Sequence, residues 1–352
     1  MAPRPGGVPQ PAITVTVLGG GSWGTTVAHL CAHNTPTTLW ARDPATVEAI
    51  NLRRVNDRYL PGFPLHTALQ ATTDLEAAVG DADVVVLALP TEAVRRTAAS
   101  LVELLATPGT PVISLAKGFE AGTNLRMTEV LGQELPGHPL GVLTGPNLAK
   151  EILAGLPAAA VLAMTDFPLA ATLQPVFTTP TFRVFTHHDV VGCEVGGAIK
   201  NVYAIAAGSV EGRRLGDNAR AAIITRGVAE LIELGTALGG EPLTLAGLAG
   251  LGDLMATCIS PQSRNFQVGH QLGEGRTLTE VLAGMDQVAE GVKAVRAVRE
   301  LARRHRVSMP IAQHVYAVCH EGRSPEWAQD NLLRGRVGHE AGPRAAGQRP
   351  TS

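Results

Sequence analysis

V-T-V-L-G-G-G-S-W-G-T, residues 15–25, is the stretch on which the fold turns. An apolar run ends in three glycines, and a helical pattern starts immediately after them. Gly19, Gly21 and Gly24 satisfy the spacing G-x-G-x-x-G. Each glycine has a physical task at that spacing: a tight turn, close backbone approach to a pyrophosphate, and close packing of helix on strand. The phosphates would rest on free N–H groups at the helix start, where the dipole favours negative charge. A Gly-rich turn can also be merely structural, so the motif is read with its context, a strand before it and a helix after it.

Outward from this turn, residues 13–18 form the first expected strand and 22–33 its helix. Residues 37–40 give a second strand, followed by Arg42-Asp43-Pro44 and a helix opening over 44–50, with Pro at an early position. Residues 83–89 (D-V-V-V-L-A-L) form a continuous apolar run, the pattern of a strand buried on both faces in a parallel sheet. Further strands are expected at 112–116, 140–143, 158–164 and 182–186. After about residue 188 the pattern becomes helical, at 190–208, 219–238, 278–283, 291–304, 311–319 and 325–333. The expected class is α/β, an N-terminal Rossmann-type doubly wound sheet plus a C-terminal all-α domain. The division places a dinucleotide-binding domain at 12–189 and a helical substrate domain at 190–335. Residues 1–11, rich in Pro and Gly, and 336–352, without apolar periodicity, read as disordered ends.

The 352 residues suffice for about two domains with sizeable cores. Net charge is −2, from 29 basic and 31 acidic residues, with no basic run. That argues against nucleic acid or an anionic membrane as partner, while leaving small anions to local cations. Cys31, Cys193, Cys258 and Cys319 are scattered without C-x-x-C spacing, which fits a reducing compartment and no zinc site. The N-terminus lacks the apolar core of a secretory signal, and no apolar run approaches the ~20 residues of a membrane span. The expected location is cytoplasmic. Apolar faces on the second-domain helices permit a homodimer.

Several residues carry candidate chemistry. Arg42 and Asp43 stand about where a ribose-reading residue belongs, roughly 20 residues past the glycines. An acid there reads the 2′-hydroxyl of NAD and an arginine accommodates the 2′-phosphate of NADP. Arg42, directly after the strand, tilts the reading to NADPH over NADH, while Asp43-Pro44 can equally be a plain helix start. Lys117 and Asn147 fall at carboxyl ends of strands, where ligands of open α/β sheets bind. Lys200 sits in V-G-C-E-V-G-G-A-I-K-N-V-Y, a helix with only Glu194 as another charge. Burial lowers a lysine's pKa and poises it for proton transfer, although a lysine can also snorkel from a core helix. Gly196, Gly197 and Ala198 would let a ligand or another backbone come close. Asp253, ending G-L-A-G-L-G-D, can orient Lys200 or a substrate hydroxyl, or cap a helix. Ser263-Arg264-Asn265 is a compact polar group suited to phosphate, or a surface loop. Glu290 can reach a cofactor or simply start a helix. His29 and His33 share a helix face, but with no third ligand evident they read as surface residues, and no metal is expected.

These pieces, in this order, resemble the bacterial NAD(P)-dependent sn-glycerol-3-phosphate dehydrogenases over residues 13–335, nearly the whole chain. The resemblance rests on G-G-G-S-W-G-T at 19–25, L-W-A-R-D-P at 39–44, A-K-G at 116–118 and G-P-N-L-A-K-E at 145–151. It continues with G-G-A-I-K-N-V at 196–202, N-A-R-A-A-I-I-T-R-G at 218–227, A-G-L-G-D-L at 249–254, Q-S-R-N at 262–265 and A-E-G at 289–291. The resemblance implies reversible hydride transfer between nicotinamide and C2 of dihydroxyacetone phosphate or sn-glycerol 3-phosphate, feeding phospholipid synthesis. It implies Lys200 as proton donor and acceptor at the C2 oxygen. Lys117, Gly145, Asn147, Lys200, Asp253, Ser263, Arg264 and Asn265 match substrate positions. The glycines together with Ser22, Trp23, Arg42, Lys117, Ala149, Arg264, Val288 and Glu290 match cofactor positions, and Tyr59 lies near another. Asn147 departs from the pattern, standing where Thr or Ser is more usual. The rival expectations are a 3-hydroxyacid or 6-phosphogluconate-type dehydrogenase, whose substrates carry carboxylates, and a non-catalytic NAD(P) sensor, which would not need Lys200 and Asp253.

Overall fold

The apolar run 15–18 forms strand β1 (Val15–Leu18), buried along its whole length, and the glycine turn delivers the chain into helix Ser22–Ala32. The computed structural model describes residues 13–105, 107, 109–285 and 289–334. The proposed disordered ends and Val288 lie outside the described residues. The strands that follow are β2 (Thr37–Trp40), β3 (Gln70–Thr72), β4 (Val84–Leu87), β5 (Val112–Ser114), β6 (Leu140–Thr144), β7 (Ala158–Met164) and β8 (Phe182–His187). They form one sheet in the order β3-β2-β1-β4-β5-β6-β7-β8. The order reverses between β1 and β4, which run parallel with Val15 opposite Val84 and Leu18 opposite Leu87. Crevices beyond the carboxyl ends at such a reversal are where ligands of doubly wound sheets bind.

Two features of the sheet differ from expectation. β3 has only three residues and no apolar run, so it carries no strand signal of its own; it exists by pairing with β2. β7 runs antiparallel to β6, with Gly141 opposite Met164 and Thr144 opposite Val161. A parallel neighbour needs a long crossover. The connection from β6 to β7 holds only the short helix Ala149–Leu153, so the chain re-enters the sheet at the end it left.

The chain then changes character. Helix Val190–Gly212 is buried nearly all round, as expected of a helix that is apolar on every face. Asp189 caps it, accepting from the Gly192 N–H at 2.7 Å and, through its other oxygen, from the Glu241 N–H at 2.8 Å. Its Gly208 and Gly212 face Gly269 and Gly273 of helix Arg264–Gly273, and a Cβ at any of the four would strike the other helix's backbone. Backbones can approach this closely only through small residues, and the contact fixes where the Arg264 helix begins. By length and composition Val190–Gly212 and residues 242–259 pass as membrane spans, contrary to the expectation that no run is long enough. The apolar window of the first is 89% buried inside the protein, so core packing explains its hydropathy.

Candidate active site

A cleft of about 1680 Å³ runs along the carboxyl ends of the strands and is closed on its far side by the helices. Of the residues singled out in the sequence, Gly19, Gly21, Ser22, Trp23, Gly24, Arg42, Tyr59, Lys117, Asn147, Ala149, Lys200, Ser263, Arg264, Asn265 and Glu290 line it. Gly145 and Asp253 lie behind its wall, in contact with the lysines.

At the sheet end, Gly19 adopts φ +129° and a side chain there would collide with the Ala88 carbonyl. Gly24 packs against Gly19 and Ala88 with no room for a Cβ. Gly21 is different: beyond its chain neighbours no atom of the described residues lies within 4 Å of where its Cβ would be, so that space opens to the cleft. The first N–H groups of helix Ser22–Ala32 have no acceptor within their own helix. This turn fits a pyrophosphate, and Arg42 on the cleft wall has no hydrogen-bond or ion-pair partner among the described residues. Asp43 caps helix Pro44–Glu48, its carboxylate accepting from the Ala45 N–H at 3.1 Å and the Thr46 hydroxyl at 2.8 Å. It is therefore the plain helix start that the sequence left open.

The other end is built by the glycines beside Lys200. A Cβ on Gly196 would lie 2.7 Å from the Ala249 carbonyl oxygen and 3.0 Å from Gly250 Cα, so its absence admits the π-helical turn Leu248–Gly252. A Cβ on Gly197 would lie 3.0 Å from Thr144 Oγ1 and 3.5 Å from the Lys117 stem. Two bare positions thus bring Asp253 and Lys117 to Lys200. Asp253, only 1% exposed, holds Lys200 Nζ at 2.5 Å with one carboxylate oxygen and Lys117 Nζ at 2.7 Å with the other. It does not cap its helix, Asp253–Ile259. Lys200 Nζ also donates to Thr257 Oγ1 at 2.7 Å, and Lys117 Nζ to the Gly145 carbonyl at 3.0 Å. Burial pulls the Lys200 ammonium down to about 8, against the pull of Asp253 and with help from Lys117.

Ser263-Arg264-Asn265 is no loose loop. Ser263 caps helix Arg264–Gly273, accepting from the Phe266 N–H at 3.2 Å. Asn265 Oδ1 accepts from the Gly291 N–H at 2.9 Å, tying this helix to the start of Glu290–His305. Burial pushes the Glu290 carboxyl up, opposed by Arg264, Lys117 and Lys200. Asn147 keeps both polar side-chain atoms buried and without a hydrogen-bond partner among the described residues, as does the Trp23 ring nitrogen.

Of the histidine pair, His33 is exposed as expected, whereas His29 is not a surface residue. His29 is half-buried, and the loop brings His66 to it: the His66 N–H donates to His29 Nδ1 at 3.0 Å, and the His29 and His33 Nε2 atoms are 3.2 Å apart. Burial and the two neighbouring rings lower His29 to about 4. Among the described residues no group of three His, Cys, Asp or Glu side chains is arranged to hold a metal ion.

Comparison with known proteins agrees with this fold. The family described as NAD-dependent glycerol-3-phosphate dehydrogenase matches in two parts, its N-terminus over residues 14–170 and its C-terminus over 189–330. The chain belongs to the NAD-dependent glycerol-3-phosphate dehydrogenase family. Glycerol-3-phosphate dehydrogenase (NAD(P)+) 2 of Sphingopyxis alaskensis is 50% identical over 331 residues, covering 94% of this chain and 99% of the relative. The enzyme of Streptomyces coelicolor is 50% identical over 324 residues, 91% and 96% of the two chains. Among solved structures, glycerol-3-phosphate dehydrogenase of Coxiella burnetii superposes with a TM-score of 0.87 at 36% identity, covering 92% of this chain and 99% of the other.

Within this glycerol-3-phosphate dehydrogenase fold the sequence reading missed residues that act through their partners. Thr257 is four residues after Asp253, hence on the same helix face, and its hydroxyl reaches Lys200. Arg95 grips Glu120 through two bonds of 2.6 and 2.8 Å, which pins the loop that carries Lys117. Neither residue is marked by composition; each is found only through its partner.

Proposed function

We propose that this chain interconverts dihydroxyacetone phosphate and sn-glycerol 3-phosphate with NADPH, or NADH, and that Lys200 is its general acid and base. The observation that carries this reading is one buried carboxylate, Asp253, holding two cleft-wall lysines by its two oxygens. Bound NAD(P)H supplies the hydride to the ketone carbon. The protein's part is to receive the charge that grows on the C2 oxygen. The Lys200 ammonium stabilises that oxygen and donates a proton to it; in the reverse direction the neutral amine accepts the proton. Asp253 and Thr257 fix the direction of Nζ, so they act through Lys200, as Gly145 acts through Lys117. The unpartnered amide of Asn147 and the ammonium of Lys117 suit the substrate's oxygens. Arg264, with Ser263 and Asn265 shaping its helix start, suits the phosphate, whose binding remote from the reacting carbon helps position it. On this reading Gly19, Gly21, Ser22, Trp23, Gly24, Arg42, Tyr59, Ala149 and Glu290 serve the cofactor, residues 12–189 being its domain and 190–335 that of the substrate.

We place the enzyme in the cytoplasm, supplying glycerophospholipid synthesis. The described structure supports that location in one respect, since all four cysteines are free and buried. The test is NADPH and NADH oxidation with dihydroxyacetone phosphate beside 3-hydroxyacid dehydrogenase substrates and 6-phosphogluconate. Turnover confined to the triose phosphate is expected. Turnover of a hydroxyacid instead would move the assignment to the carboxylate enzymes, and no turnover at all would make the chain a binding protein.

A further inference from the structure

Arg58 stands where no motif placed a function, on the same cleft wall as Arg42 and beside the glycine turn. Its segment is stapled to that turn. Asn56 Nδ2 donates to the Gly20 carbonyl at 2.9 Å and to Thr25 Oγ1 at 2.8 Å, and the Ser22 hydroxyl donates to the Tyr59 carbonyl at 3.2 Å. The Arg58 guanidinium lies over the Tyr59 ring, 5.3 Å from its centre, and reaches Asp43 through a single contact of 3.4 Å. Asp43 does not depend on that contact, because its oxygens are already engaged by the Ala45 N–H and the Thr46 hydroxyl. The pair is exposed, with side chains 65% and 39% accessible, so separating it costs little.

We infer that Arg58 is the second jaw of an anion clamp: with Arg42 it grips a phosphate on the adenosine ribose, turning to it from Asp43. The inference rests on the cofactor reading above and deepens it to a preference for the 2′-phosphorylated dinucleotide. Two guanidiniums fit a phosphate dianion, because each presents a planar fork of donors. A carboxylate at the same place would repel that phosphate. Here Asp43 is held in the helix cap, and its charge faces Arg58. The signature of ribose reading by an acid is thus present in the sequence but committed to another task, and the arginine that would compensate comes from 15 residues further along.

The test is direct binding, measured by calorimetry with NADPH, NADH and 2′,5′-ADP on the full-length protein. Arg58→Ala is expected to weaken NADPH and 2′,5′-ADP about tenfold, the worth of one charge-assisted contact, with NADH changed less than twofold. Arg42→Ala should act in the same direction. Asp43→Asn, which retains a good capping side chain and frees Arg58, should raise the ratio of NADPH to NADH affinity. Equal weakening of NADPH and NADH by Arg58→Ala, or a fall in melting temperature with both affinities intact, overturns the clamp and leaves Arg58 as a prop for the cap. Failure of the unaltered protein to bind either dinucleotide would instead sink the cofactor reading itself.

Discussion

At the scale of single residues the proposed chemistry turns on how one ammonium is held. Lys200 is 6% exposed, and burial has brought it to about 8, within reach of both protonation states near neutrality. Lys200→Ala is expected to lower turnover by about 10²–10⁴ while leaving NADPH affinity nearly intact, because the alanine removes a proton donor and no cofactor contact. Retained full turnover would remove Lys200 from the reaction. In the proposed mechanism the same group sets the pH dependence. On the proposed reading reduction needs the ammonium, so its rate should fall as pH rises through about 8. Oxidation needs the free amine and should rise through the same interval. Asp253 favours the charged form, so Asp253→Asn should move both limbs to lower pH, which a pH profile of kcat/KM reads directly; an unmoved profile would mean that Asp253 does not tune the lysine. The burial of Lys200 was legible in the sequence because a lone cation in an apolar helix is conspicuous. Thr257 and Arg58 were not, since a threonine in a helix and an arginine in a polar loop look ordinary until their partners are known.

At the scale of elements, the helix Val190–Gly212 and the turn Leu248–Gly252 behave as one unit. Their contact exists because Gly196 has no side chain. Gly196→Ala would drive a methyl against the Ala249 carbonyl and Gly250 Cα, which are backbone atoms that cannot rotate away. Overpacking of this kind typically costs about 1–3 kcal/mol. Because the displaced turn leads into Asp253, the variant should lose activity beyond what its stability loss explains, with the pH profile shifted as in Asp253→Asn. Thermal melting beside that profile checks it; a stable variant with unchanged kinetics would show that the turn has slack. This coupling explains what sequence could and could not give at this scale. The apolar runs at 15–18 and 84–87 and the helical periodicity after residue 188 announced themselves, because each buries its own continuous face. β3 and the antiparallel course of β7 did not, because one depends on a neighbouring strand and the other on the length of a connection.

For the whole molecule, ion pairs of unequal burial among the described residues tie the sheet domain to the helices. Lys117–Asp253 and Arg126–Glu194 are largely buried, whereas Glu92–Lys293 lies open at the cleft, its side chains 47% and 58% exposed. Glu194 is the structural member of the set. One oxygen accepts from the Thr128 N–H at 2.9 Å; the other accepts from Arg126 at 2.7 Å and from the Thr128 hydroxyl. Burial raises its carboxyl, yet Arg126 and Thr128 pull the other way, so the carboxylate is anchored by its donors. Glu194→Gln would set an amide against groups that all donate. Breaking a buried pair costs about 3–5 kcal/mol, whereas an exposed pair is worth about 0–1 kcal/mol. Glu194→Gln should therefore lower the melting temperature by several degrees, and Lys293→Ala by little. Glu194 does not line the cleft, so NADPH binding to the folded variant should survive; catalysis should weaken, because the helix that carries Lys200 loses its tie to the sheet. If Lys293→Ala proves as damaging to stability as Glu194→Gln, the two halves are held together at the mouth of the cleft rather than beneath it.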